Sequence, residues 1–251
     1  MTSVDLSCDL GESSTPEALA TEAAIWPLVT SANVACGGHA GDAASMRAAV
    51  ELARRHGVRL GAHPSFPDRA GFGRRALEIS DEALGAALVA QLEELRSIAR
   101  SEGGIALERV KAHGALYNIA HHDSRLARVL TEATLAAVPG AALVCPAGSA
   151  MEHAARELGL AVVREAFADR RYLRDGALVP RSDPRALLDD PVESAAQAVS
   201  LATRSAVTAV DGSEIVVEHE TICVHSDMPR AVERLVAIRA ALARRGVEIR
   251  R

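Results

Sequence analysis

Of nine histidines in 251 residues, four (His39, His63, His113 and His225) stand at or just beyond the ends of short apolar runs, each inside a polar or glycine-rich cluster. Asp9-Leu10-Gly11-Glu12 follows the first run and Gly37-Gly38-His39-Ala40-Gly41-Asp42 the second. His63-Pro64-Ser65-Phe66-Pro67-Asp68, His113-Gly114-Ala115-Leu116-Tyr117-Asn118 and His225-Ser226-Asp227 follow later ones. Imidazoles gathered with carboxylates suit a divalent metal or general acid–base chemistry. Asp9, His39, His63 and His113 form the candidate metal set, with Zn or Mn preferred to Ca because imidazole is on offer. Asp9, His113 and His63 are the candidate catalytic residues, with Asp9 or His113 as base. Glu12, Asn33, His39, Lys111, Arg74, Glu165, Asp169, Arg170 and His225 are candidates for substrate binding.

Each has a plainer reading beside it. The histidines can also be read as partners of neighbouring loops, and Asp42 as either a functional carboxylate or a helix N-cap. Lys111 either receives a substrate carboxylate or neutralises Asp5. Gly71-Phe72-Gly73-Arg74-Arg75 exposes backbone N–H groups beside guanidinium groups, so Arg74, with Arg170, is a candidate phosphate holder. The alternative pairs Arg74 and Arg75 with Asp68 or leaves them solvated. Neither a P-loop nor a dinucleotide fingerprint occurs, and no serine sits in a nucleophile elbow. His56, His121, His122, His153 and His219 fall in or beside helices and turns and read as structural.

Such residues need elements to bring them together. Apolar runs at Val4–Leu10, Thr30–Cys36, Val58–His63, Arg109–His113, Ala142–Cys145, Ala161–Glu165 and Thr221–His225 read as strands. Helical periodicity separates them: Asp42–Arg55 before Gly57, a helix opened by Ser80-Asp81-Glu82, one from Pro191 to about Ser205, and one from Pro229 to Arg245. Strands alternating with helices predict a parallel sheet. Nearly every strand ends in a polar cluster, whereas an open doubly wound sheet gathers its ligand from a few strand ends. The expected fold is therefore α/β: a single-domain parallel β/α barrel of about seven strands over residues 1–251, with its site on the rim at the strand C-termini. Period-two alternation turns Asp5, Ser7, Asp9, Asn33, Gly61, His63, Lys111, His113, Glu165, Cys223 and His225 inward.

Composition narrows the class. Hydrophobic residues make up 49% and the net charge is −5, which offers no basic face to nucleic acid or an anionic membrane. The first residues carry neither a basic segment nor an apolar one, and no apolar run approaches the ~20 residues needed to span a bilayer. The four scattered cysteines lack CxxC spacing and read as small reduced core residues. The expected location is the cytoplasm.

The blocks VDLSCDLGE, ANVACGGHAGD, GAHPSFPDRAGFGRR, VKAHGALYN, FADRRYLRDGALVPR and ICVHSDMPRAV, running from Val4 to Val232, resemble the LamB/YcsF family of 5-oxoprolinase A subunits. That resemblance implies a seven-stranded, polysaccharide-deacetylase-like (distorted TIM) barrel. It also implies ATP-dependent opening of 5-oxo-L-proline to L-glutamate with subunits B and C and ATP as co-substrate; the lack of a nucleotide motif in this chain places the phosphorylation largely on those partners. Self-association is left open. Ser7 stands where the family commonly has Asn, Gly38 where it has Phe, Ala112 where it has Pro, and Ser226 where it has Gly. Two other classes compete: a metal-dependent amide hydrolase or deacetylase without ATP, and a non-catalytic lactam-binding subunit.

Overall fold

Strand β1 (Ser3–Leu10) carries the alternation that organises the molecule. Val4, Leu6, Cys8 and Leu10 join the hydrophobic core, while Asp5, Ser7 and Asp9 are buried polar residues on the opposite face. The computed structural model describes residues 3–250. In it β2 (Ser31–Ala35), β3 (Arg59–His63), β4 (Leu107–Lys111), β5 (Ala142–Cys145) and β6 (Val162–Phe167) follow β1 in sheet order, every pair parallel. The short antiparallel strands β7 (Ala206–Thr208) and β8 (Glu214–Val216) form a separate hairpin. Strand β9 (Thr221–Val224) then pairs with both β6 and β1, and so closes a barrel of seven parallel strands. A last strand, β10 (Glu248–Ile249), extends the start of β1.

Eight helices surround the barrel among the described residues: α1 (Pro16–Ile25), α2 (Ala43–His56), α3 (Asp81–Ile98), α4 (Gly114–Ala120), α5 (Ser124–Ala137), α6 (Ala150–Glu157), α7 (Pro191–Arg204) and α8 (Ala231–Arg244). Their limits follow local chemistry. Asp42 and Ser45 close a capping box at the start of α2, so Asp42 is an N-cap, and Gly57 ends that helix at φ 59°. Ser80 caps α3, whose Leu84, Leu88, Leu92, Leu95 and Ile98 form one buried stripe. None of the helices among the described residues is long and apolar enough to cross a membrane.

Two C-terminal strand ends lie two residues from those read in sequence. β4 stops at Lys111, because His113 takes the N-cap position of α4 and its N–H donates to Pro64 O at 2.8 Å. β6 continues to Phe167. Beyond it, residues 168–190 form a long ordered connection to α7, folded on itself by bridges Arg170↔Leu187 and Tyr172↔Leu178.

Candidate active site

The C-terminal ends of the barrel strands open into a cavity of about 910 Å³. Nine residues expected at the site line it: Asp9, Glu12, His63, Arg74, Lys111, His113, Glu165, Arg170 and His225. The other three stand directly behind them. Asn33 donates to Asp9 Oδ1 at 2.8 Å, His39 Nε2 lies 2.9 Å from Glu12 Oε1, and Asp169 holds His225 Nδ1 at 3.0 Å.

The group that converges most tightly is Glu12, His39, His63 and His113, whose ligand atoms all lie within 4.8 Å of one another. Glu12 thus joins the three histidines as a candidate metal ligand, and Asp9, the carboxylate expected there from the strand-end pattern, stands beside the group with Oδ2 3.4 Å from His63 Nε2. The outer nitrogens of two of these rings face backbone acceptors: His63 Nδ1 is 2.8 Å from Lys111 O, and His113 Nε2 is 3.0 Å from Phe72 O. A backbone carbonyl can only accept, so each outer nitrogen carries a proton, and a ring that is neutral turns its lone pair inward. Those two inner nitrogens are 3.1 Å apart, and Glu12 Oε1 lies 3.3 Å from His113 Nδ1 and 3.8 Å from His63 Nε2. So many acceptors at such distances require a proton or a cation among them.

The spacing suits a metal. Four ligands at the usual zinc–nitrogen and zinc–oxygen distances lie about 3.3 Å from one another in a tetrahedron, within the 2.9–3.8 Å spread of these contacts. Burial pushes His63 down to about 3 and also lowers His39, which keeps both rings neutral near pH 7. Burial alone would raise Glu12, but its hydrogen bonds to His113 and His39 and the nearby His63 outweigh it, so the carboxyl titrates well below its ordinary range.

The glycine-arginine loop supports this cluster. Phe72 adopts φ 53°, an uncommon conformation for an aromatic residue, and so lays its carbonyl on His113 while its ring meets the edges of His39 and His113. Gly73 follows at φ 62°, and a Cβ there would come within 2.9 Å of His39 Cβ and 3.0 Å of His113 Cδ2. The loop's two arginines have carboxylate partners, Arg75 on Asp68 and Arg74 on Asp227.

Beside the cluster, Lys111 Nζ lies 2.9 Å from Asp9 Oδ2, 2.9 Å from Glu165 Oε1 and 3.2 Å from Cys223 Sγ. Its ammonium thus neither neutralises Asp5 nor stands free for a substrate. Asp5 has Arg109 and Arg59, one layer lower in the barrel. Burial raises Asp9, but His63, Lys111 and His225 outweigh it and hold the carboxyl far below its usual range, so it is ionised. Glu165 is pushed up by burial, offset in part by Lys111, and accepts from Tyr117 Oη at 3.0 Å.

Several cavity residues lie outside the set expected from the sequence. Phe167 stacks on His225 and lies under Lys111 Nζ at 5.1 Å, and Ser226 Oγ donates to Asp9 O at 2.6 Å. His121 and His122 line the outer cavity with Asp175–Arg181. The polar block around Tyr117 is visible in sequence, and residues 175–181 belong to the block FADRRYLRDGALVPR, but their residue types alone do not mark them as a cavity wall. Gly38 has no room for a larger residue: a Cβ there would collide with Gln91 Oε1, and Gln91 clamps Ser65 N–H and C=O.

Closed parallel strands, a rim of acids and histidines and a deep cavity define a β/α-barrel protein with a hydrolase-like site. Its backbone resembles the polysaccharide deacetylase from Bacillus cereus, with a TM-score of 0.50 and 14% identity over 100% of this chain and 91% of that one, a likeness of fold. The chain matches the LamB/YcsF family over residues 4–251, and it belongs to that family. It is 46% identical to a 5-oxoprolinase A subunit of Thermus thermophilus over 98% of each chain. It also superposes on the lactam utilization protein from another strain of that species with a TM-score of 0.91, at 43% identity and 99% coverage of both chains.

Proposed function

We propose that this chain is the A subunit of a cytoplasmic 5-oxoprolinase, which opens 5-oxo-L-proline to L-glutamate with ATP and works with subunits B and C. The observation that carries the chemistry is the converging ligand set of Glu12, His39, His63 and His113 beside an ionised Asp9. Charge points the same way. Asp9 and Glu165 share a single ammonium, Lys111, and Glu12 beside them has imidazoles for partners, an excess of acidic groups that a divalent cation would balance. Glu12, His39, His63 and His113 would hold such an ion, and a bound zinc or manganese ion would supply Lewis-acid polarisation.

Around it the chain's own groups have separate tasks. Asp9, held by Asn33 and Lys111, accepts the proton of the attacking water. His113, with both ring nitrogens engaged, is a holding group instead of the base. His225, oriented by Asp169, delivers a proton to the departing lactam nitrogen. An unstrained amide needs activation, and this chain carries no nucleotide motif, so phosphorylation is assigned to the partner subunits. Arg74 reaches the cavity but is engaged with Asp227, which speaks against a dedicated phosphate grip.

The test is purification of this chain with and without its candidate partners, following glutamate and phosphate release from 5-oxoproline. Coupled release by the assembled proteins, and almost none by this chain alone, is expected. Glutamate release by the isolated chain without ATP would instead make it a metal-dependent amide hydrolase.

A further inference from the structure

Six cationic side chains line the cavity, and five already face carboxylates. Lys111 has Asp9 and Glu165, Arg74 and Arg181 share Asp227, Arg156 has Glu152, and Arg164 has Glu218 and Glu220. Arg170 is different. Among the described residues no carboxylate lies within ion-pair distance of it; Asp169, its neighbour in sequence, has both oxygens on His225. Yet Arg170 is only 6% exposed, and its Nε is buried without a partner. A guanidinium taken from water with no counter-charge destabilises the fold unless an anion is supplied.

The residue is also held in place. Its backbone bridges Leu187, its carbonyl accepts from Gln197 Nε2 at 2.8 Å, and its Nη2 donates to Val179 O at 2.7 Å. The segment that walls the cavity therefore fixes the guanidinium before any ligand arrives, which lowers the entropy lost on binding. Arginine's planar fork matches a carboxylate better than a lysine could.

We propose that Arg170 is the anion receptor of this cavity and takes the carboxylate of the substrate, which on the function proposed above is that of the five-membered lactam acid. The amide to be broken then lies toward Asp9 and His225, and the charged end marks the substrate as an acid. Neutral lactams are selected against, because they leave Arg170 desolvated and unpaired.

The experiment compares 5-oxoproline, its neutral carboxamide and inorganic phosphate, titrated calorimetrically into the full chain as wild type, Arg170→Gln and Arg170→Lys. Thermal unfolding confirms that each variant is folded. The wild type should prefer the acid to the carboxamide by about 10–100-fold, the range of a charge-assisted hydrogen bond. Arg170→Gln should bind both weakly and alike, Arg170→Lys should regain part of the preference, and phosphate should not compete. The proposal is overturned if the preference survives in Arg170→Gln, whether or not both ligands weaken, or if the wild type does not bind the acid. Phosphate binding that is lost in Arg170→Gln while the acid keeps its preference would reassign the arginine to a phosphoryl group. The acid–carboxamide comparison needs binding but no turnover. An assembled wild-type complex that binds the acid without opening it would therefore sink the proposed function and leave Arg170 standing.

Discussion

Asp5 and Asp9 lie on the same face of β1, both buried inside the barrel, but their surroundings have opposite balances of donors and acceptors. Around Asp5 the hydroxyls of Thr30, Ser31 and Thr221 and the guanidinium groups of Arg59 and Arg109 all donate to the carboxylate. Burial alone would raise its pKa, but Arg109, Thr221 and Thr30 outweigh it and bring it to about 2. One layer up, Asp9 and Glu165 share Lys111, and Glu12 with three histidines adds acceptors without enough donors. A buried polar group whose partners are all present is a structural plug. A group whose partners are missing keeps its fold at a cost and is ready for something that arrives from outside. The same barrel contains both, two turns of the pleat apart.

The sharpest way to break this contrast is to neutralise the two aspartates in turn. Asp9→Asn keeps the shape but cannot take a proton, so ATP-coupled glutamate formation by the assembled complex should fall ~10²–10⁴-fold. Its circular dichroism should be unchanged, because Lys111 keeps Glu165 as counter-charge. If most activity survives while His113→Ala destroys it, the base is His113 and the division of roles is wrong.

Asp5→Asn should do the reverse. It leaves Arg109 buried with a neutral partner, and denaturant titration should reveal a loss of about 3–5 kcal/mol, with turnover per folded molecule little altered. Combining it with Arg109→Met should recover part of that loss, because the uncompensated charge is gone. Recovery of nothing would mean that the floor holds by packing and not by pairing.

The rim can also be sharpened through its metal. Protein purified without chelator should carry near-stoichiometric zinc or manganese by elemental analysis, and Glu12→Gln should weaken binding at least ~10–100-fold. A metal-free protein whose activity no divalent ion stimulates would point to a proton shared among His63, His113 and Glu12 instead.

A smaller effect separates the two layers by pH. The folded pKa of Asp5 is below its unfolded value of 3.8, so the unfolded chain binds the proton first as pH falls. The stabilisation, about 2 kcal/mol, should be complete above pH 5 and disappear as pH drops from about 4 through 2. Asp5→Asn should flatten that part of the stability profile, and an unchanged slope would contradict the pairing. Least of all should follow from Arg74→Gln at the half-exposed opening. Its exposed pair with Asp227 is worth under about 1 kcal/mol, and activity should stay within a few-fold if phosphate is held elsewhere.

The strands, the closed barrel and the inward set follow from the order of residues alone. They rest on local geometry: side chains alternate with period two, so Val4, Leu6 and Cys8 have to face away from Asp5, Ser7 and Asp9. The polar clusters at the strand ends likewise place Asp9, Glu12, His63, His113 and His225 on one rim. Which of these groups meet was set by the folded chain. Lys111 reaches Asp9 and Glu165 and not Asp5, because Arg109, two residues earlier on β4, already fills the lower layer. Glu12 joins the histidines because the turn after β1 carries it over the rim, while Asp9 reaches His63 alongside its own partners Asn33 and Lys111. The Gly-Phe-Gly loop proved to be a support for His113, and among the described residues Arg170 was left without a carboxylate, its Nε buried and unpartnered. Such pairings depend on the stagger between strands distant in sequence and on loops that cross the barrel, and neither has a periodic trace in the residues that make them.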